Sequence, residues 1–544
     1  MSDQVTDELV TFNGLNLATG GYFDEPITLG QFTATAAKYG LPREQQQQAD
    51  LKDKKDRAEA DLSVPPEYGL GDDLKRVGWG MIFPAAADPA QVDAILKAMK
   101  VLVDLRQEKA GKNFKICRDT TGYAWKNGRP ETKNEFIAHF KLGPGDFAPW
   151  KLPFYLLIVA DPLSIPFSFQ HELNVTYAVG RIYFPKLQDY SIYAESVVAA
   201  EKGQVQLPRR AVFFGVANQD DKTTALSAEN LIKPLYTHVA NKSAEMELGW
   251  ESILVNPEDA LKENLRSLLG GDQTPAILFS ATHGAAWPYN HENQLSYQGA
   301  LVCQDWRRND PFEPPNIAHA LSAHEIPDTA NLLGSLVIPF ACFGVGTPYK
   351  DEFAIARNLP SDRLAPRPFL SALPLRLLSH PNGGGLGVIG HVERAWPQSF
   401  SWGDQQSTTG AFESLLTNLM LGRPVGLALD RVNMRYAEIS VSLLNDLNQL
   451  KQNPKYIPPK QLAYEWTAAN DARGYALLGD PAARLSLAPA AAIEDVRPSI
   501  QLTTPVPGNL PPVFLDQALQ ALDETEQKIV AEQAKVLSDS TGSQ

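Results

Sequence analysis

"AILFSATHGAAW", residues 276 to 287, is apolar for most of its first six positions and then stops on His283 and Gly284. A short apolar run bounded by turn residues fits a strand buried on both faces. Its end is the informative part, because it puts an imidazole at the lip of the strand and a residue without a side chain directly behind it. Taken alone, the pair reads as a strand end with a tolerant turn. Its neighbours in the chain decide what else it is.

Upstream, "RRAVFFGVA" (209–217) reads as a strand, "TALSAENLIKPLYTHVANK" (224–242) as a helix, "ESILV" (251–255) as a short strand and "EDALKENLRSLL" (258–269) as a helix. Downstream come the strand in "LLGSLVIPFACFGVG" (332–346), the helix "RPFLSALPLRLLSH" (367–380) and the strand in "GGGLGVIGHVERAW" (383–396). Strands that are apolar throughout and alternate with helices predict an α/β fold, with a mostly parallel sheet and helices on both faces. A smaller α/β subdomain precedes it, with strands in "RVGWGMIF" and "PFYLLIVA", a helix over 89–111, and "VTYAVGRIYF" closing the unit. The expected division is an N-terminal appendage, partly mobile, over 1–74, a first subdomain over 75–204, a second over 205–488, and a Pro-rich linker with a C-terminal helix over 489–544. The polar run "LPREQQQQADLKDKKDRAEADL" in the appendage suits a solvated helix or a mobile arm.

Bulk properties narrow the function. The 544 residues carry 44% hydrophobic and 21% charged residues, which is ordinary for a globular protein of two or more packed units. A formal charge of −14, with no compensating basic run, disfavours nucleic acid and anionic membrane as partners. The acidic start "MSDQVTDELV" lacks the basic segment and apolar core of a secretory leader, so the expected location is cytoplasmic. Three scattered cysteines, Cys117, Cys303 and Cys342, make neither a disulfide framework nor a metal knuckle. No phosphate-binding loop, HExxH or EF-hand motif occurs, and "GLGVIG" (385–390) enters a strand instead of opening a helix. No metal and no cofactor is expected.

In open α/β sheets the ligand crevice lies beyond the carboxyl ends of the strands, and His283, Cys342 and His391 all fall there. Cys342 follows one strand and His283 ends its predicted neighbour, so a thiol and an imidazole are expected to face one crevice as nucleophile and base. Gly284 and the turn with Gly344 and Gly346 would let a substrate backbone approach. The amides of Gly284 and Cys342 would cradle an acyl oxyanion. A lone buried cysteine more often acts as a small hydrophobe, so the weight rests on the pair.

Two apolar strands ending in His-Gly and Ala-Cys, in that order, resemble the caspase-like superfamily of cysteine peptidases, and most of all the gingipain-type members. The resemblance spans about residues 76 to 487 and includes "YLLIVADPLSIPFSF", "YAVGRIYF", "SATHGAAW", "FACFGVG" and "YALLGDPAARL". It implies a three-layer sandwich, with 205–488 as the catalytic unit and peptide bonds cleaved through a thioester acyl-enzyme by Cys342 and His283. In that superfamily thiol and imidazole can meet only across the substrate. It also implies a protein or peptide substrate and a role in bacterial signalling or defence, while the appended ends suggest regulation, by a protein partner engaged through either end or by cleavage of "QQQQADLKDKKDR". Where gingipain-type enzymes carry an acid that supports the catalytic His, this chain reads Asn218, which becomes the candidate for orienting the imidazole. The expected substrate-pocket candidates are Asp220, Asp221, Asp351, His391, Glu393 and Trp396. The loop acids equally read as solvated, and Glu393 with Arg394 as a local ion pair. A protein of another class, a non-catalytic binding module on a caspase-like scaffold, fits the same sequence.

Overall fold

The computed structural model describes residues 9–10, 14–22, 26–126, 128–306, 316–351, 353, 363–402, 406–453, 456–490, 494–500 and 502. The expected C-terminal linker and helix lie almost wholly outside them.

Ten strands form one continuous sheet. In chain order they are β1 (Trp79–Ile82), β2 (Phe114–Cys117), β3 (Tyr155–Val159), β4 (Ala178–Ile182), β5 (Arg210–Gly215), β6 (Glu251–Val255), β7 (Ile277–Ala281), β8 (Leu336–Phe340), β9 (Gly387–His391) and β10 (Tyr475–Gly479). Their order across the sheet is β6-β5-β7-β8-β9-β10-β4-β3-β1-β2. All neighbours are parallel except β9 and β10, whose antiparallel pairing joins two parallel blocks of opposite direction. Successive side chains of a strand point to opposite faces, so five consecutive buried residues in β3, β4, β7, β8, β9 and β10 mean that both faces are covered. The fold is mixed α/β with a mostly parallel sheet, as the apolar strand pattern predicts.

One contiguous apolar core runs through both blocks, from Trp79 and Leu157 to Phe279 and Leu478. At the seam β4 and β10 pass closely: a Cβ added at Gly180 would lie 2.0 Å from the Gly479 carbonyl oxygen, so glycine is the residue that fits. Just beyond the seam Asp480 is fully buried, accepting from Trp79 Nε1 at 2.8 Å and Arg106 Nε at 2.7 Å. Arg106 also reaches Glu201, so one buried network ties β10 to the first strand and to two helices of the other block. This explains the Gly-Asp-Pro landmark at 479 to 481 as architecture.

The described part of the N-terminal region is docked. The helix Leu29–Tyr39, opened by a Thr28/Gln31 capping box, packs on the helix Pro459–Arg473, where Phe32 meets Trp466 edge-on at 5.2 Å. The helix Gln48–Glu59, part of the run read as solvated or mobile, lies along the helix Val425–Gln452 and buries Lys54 against Asp430. Its Asp50 pairs with Lys133 at 2.8 Å. Hydrophobic content is low there, and buried ion pairs supply the contacts that local pattern could not announce.

Candidate active site

β6 lies on one side of β5 and β7 on the other, so the sheet has its topological switch point between β5 and β7. The crevice of such sheets opens there, beyond the carboxyl ends. β5 stops at Gly215, and Asp221 caps the helix Lys222–Ser227, its carboxylate taking the Thr224 hydroxyl at 2.9 Å and the Thr223 amide at 3.4 Å. β7 stops at Ala281, and the chain leaves the main sheet to form a second short strand, His283–Ala286. That move turns the His283 ring toward β5, where Nε2 lies 2.5 Å from Asp221 Oδ2. Both side chains are buried, at 2% and 3% exposure. Burial alone would raise the Asp221 carboxyl. The hydrogen bond and charge of His283, helped by Thr224 and Tyr22, instead hold it well below the usual carboxylate range.

The carboxylate that grips the imidazole is therefore Asp221, and not Asn218 as expected. Asn218 lies three residues nearer β5, and its Nδ2 donates to the carbonyls of Cys303 and Trp306, each at 2.9 Å. Asp221, expected as a pocket wall, is committed to His283. Asp220 is an exposed residue with φ +60°. The sequence signal was available: Asp followed by Lys-Thr-Thr is a helix N-cap pattern, and a cap fixes a carboxylate.

The end of β8 brings Cys342 beside this pair. A Cβ added at Gly284 would lie 1.7 Å from the Cys342 carbonyl oxygen, so the glycine behind His283 is what admits the Cys342 turn. The close approach served by that glycine is made by the chain itself. The thiol, however, points away from the imidazole's partners. Its contact is the Ala395 carbonyl at 3.8 Å, beyond β9, whereas His283 faces Asp221, Trp306 and Tyr22. Cys342 is 1% exposed, and burial, opposed by the Ala395 contact and the Arg394 charge, pushes its thiol up to about 12. The turn is held by backbone bonds from Phe343 N–H to Glu393 O (2.5 Å) and Val345 N–H to His391 O (3.2 Å). Phe343 and Glu393 both sit in the left-handed region, at φ +58° and +77°.

The remaining candidates gather behind that turn. Asp351 accepts both terminal nitrogens of Arg394, at 3.0 and 3.1 Å, and Glu393 takes Arg394 Nη1 at 2.8 Å, so all three form one buried ion-paired group. His391 bonds the Asp471 carbonyl at 2.8 Å, and Trp396 packs on Phe353 at 4.9 Å.

One participant had no sequence signal. Residues 15–22 lie over the imidazole. Leu15–Asn16 adds a parallel strand to Ala285–Ala286, Leu17 N–H bonds Ala286 O at 3.1 Å, and the Tyr22 hydroxyl donates to Asp221 Oδ1 at 3.1 Å. Leu15, Gly20, Gly21 and Tyr22 enclose the space above Asp221, His283 and Trp306. Such strand pairing joins segments more than 250 residues apart, and no local pattern encodes it.

No protein-family model matches the sequence, and no curated protein matches it. Among solved structures, a protease is 13% identical over 76% of this chain and 80% of its own, with a TM-score of 0.44. The complex of Porphyromonas gingivalis RgpB pro- and mature domains is 11% identical over 75% and 80%, with a TM-score of 0.38. The separase–securin complex of Saccharomyces cerevisiae is 11% identical over 60% of this chain and 16% of that one, with a TM-score of 0.28. Likenesses this distant carry no conclusion about chemistry. Among the described residues no helix is long and apolar enough to cross a membrane.

Proposed function

We propose that the chain is a cysteine endopeptidase of the caspase and gingipain type, with Cys342 as nucleophile, His283 as its base and acid, and Asp221 orienting the imidazole. The observation that carries this is the 2.5 Å Asp221–His283 contact at the switch point, with the Cys342 turn seated on Gly284. With Nε2 engaged by the carboxylate, Nδ1 is the nitrogen left to accept the thiol proton. The thiolate attacks the scissile carbonyl carbon, and the tetrahedral oxyanion rests on the amides of Gly284 and Cys342. The imidazolium returns its proton to the leaving amine, a thioester remains, and water activated by the same imidazole releases the carboxylic acid.

The described arrangement is a latent one, with the thiol buried and protonated and the imidazole under residues 15–22. Opening of both is part of the proposal. The site-residue candidates at Asp351, Glu393 and Arg394 are then ion-paired supports behind the nucleophile turn. The alternative, a binding protein on this scaffold, is favoured by one observation, the 1% exposure of Cys342. Fluorogenic peptides varied only at P1 separate the two. Cleavage by the intact chain that is lost in both Cys342→Ala and His283→Ala, with circular dichroism unchanged, supports the peptidase. Cleavage retained in either variant removes it.

A further inference from the structure

A second concavity shares no lining residue with the space over His283. It has a volume of about 370 Å³ and lies where the segments after Cys342 and after β9 meet the helix Pro459–Arg473 and the segment after β3. Four basic side chains from separate parts of the chain line it: Arg43, Lys350, Arg394 and Arg473. Against these four cations the lining carries one acid, Glu393, and in a chain of net charge −14 a concavity with an excess of positive groups focuses the field on an anionic ligand. Arg394 is fixed by Asp351 and Glu393, and Arg473 by Glu44 at 3.0 Å and Asn470 at 2.9 Å, so both guanidinium planes are preset. His171, also in the lining, is kept neutral first by burial and then by the charges of Arg473, Arg43, His391 and Arg181, all of them basic.

Two further observations point to a ligand. His171 Nε2 and His391 Nδ1 are buried without a hydrogen-bond partner among the described residues, and His391 is only 2% exposed. Buried polar atoms left unsatisfied are rare enough to need a reason. The rest of the wall includes the aromatic residues Trp125, Phe167, Tyr349 and Phe353.

We propose that this cavity binds a small organic anion, a carboxylate or phosphate carried on a planar apolar body, and that its occupancy is coupled to the Cys342 turn. Guanidinium forks match carboxylate and phosphate oxygens, and a planar body suits aromatic walls of this volume. Coupling follows from one short segment. The side chains of His391, Glu393 and Arg394 line the cavity, while the carbonyls of His391, Glu393 and Ala395 hold Val345, Phe343 and the Cys342 thiol. The segment and the turn each contain one left-handed non-glycine residue, Glu393 and Phe343, so an anion that draws Arg394 inward or pushes Glu393 aside acts on a strained contact. The proposal concerns binding and thiol accessibility, and stands whether or not the chain cleaves peptides.

The test titrates the intact chain calorimetrically with phenyl phosphate, benzoate and neutral benzyl alcohol, and follows iodoacetamide alkylation of Cys342 by mass spectrometry with and without the anion. At least one anion binds, with its identity separating phosphate from carboxylate, and benzyl alcohol binds tenfold or more weakly. Added salt weakens the anion. Arg43→Gln and Lys350→Gln, both at exposed positions, each weaken it about tenfold with thermal unfolding unchanged, and saturation changes the alkylation rate at least threefold. Equal binding of the neutral compound, no binding of either anion at millimolar concentration, wild-type affinity in both variants, or an unaltered alkylation rate each overturns the proposal.

Discussion

Cys342 and His283 stand just beyond the ends of adjacent strands and yet turn to different neighbours, and each side chain's surroundings set its chemistry. With its thiol pushed up to about 12 by burial, Cys342 stays protonated through the range in which an exposed cysteine, at about 8.5, ionises. Alkylation at Cys342 in the folded chain, followed by peptide mass spectrometry, is therefore expected to be far slower than at an exposed thiol throughout pH 7 to 9, and to keep rising about tenfold per pH unit where the exposed thiol levels off above about 8.5. Asp221 gives a stability test of opposite sense. Its folded carboxyl is held below the ordinary range, so its contribution is present above about pH 4 and is lost as the pH falls, because the unfolded chain takes up the proton first. Urea unfolding is expected to show the intact chain losing more stability between pH 5 and 3 than Asp221→Asn does. The strand-end residues His283 and Cys342 were legible because apolar runs and glycines mark where strands stop. The choice between Asn218 and Asp221 was not, since three residues of loop separate them and only the cap of the next helix decides which one faces the ring.

At the scale of elements, the local rule that parallel strands are apolar throughout placed seven of the ten strands at once, and the placement of residues 15–22 escaped it entirely. A two-residue strand has no periodicity, and its pairing with Ala285–Ala286 is visible only once the chain is folded. The same segment closes the space over the imidazole, which makes its removal testable. Leu15 is 2% exposed, in a cluster with Ala285, Trp287 and Trp306. Leu15→Asp forces a charge into that cluster and is expected to lift the segment, at a cost of about 2 to 4 kcal/mol. Carbethoxylation of His283 by diethylpyrocarbonate, read by mass spectrometry, is expected to quicken several-fold in the variant. An unchanged rate would mean that residues 15–22 do not cover the ring in solution.

Across the whole molecule, two successive α/β runs were expected from the sequence, and their union in one sheet was not legible. The strand that unites them, β10, comes nearly 300 residues after β4, and its direction relative to β9 is fixed by tertiary pairing alone. Asp480 secures that union through Trp79 and Arg106, all of it buried. Asp480→Ala leaves Arg106 in the core with one of its two acids and is expected to cost about 3 to 5 kcal/mol. Because the network spans both blocks, denaturation should move as one shifted transition, monitored by far-ultraviolet circular dichroism and tryptophan fluorescence together.

The catalytic assignment meets its most direct measurement in the chain opened by Leu15→Asp, treated with a peptidyl acyloxymethyl ketone and digested for mass spectrometry. The account predicts one adduct, on Cys342, whose rate of formation collapses when His283→Ala is added and falls markedly with Asp221→Asn. Absence of an adduct on Cys342, or an adduct that forms equally fast without the imidazole, would contradict it.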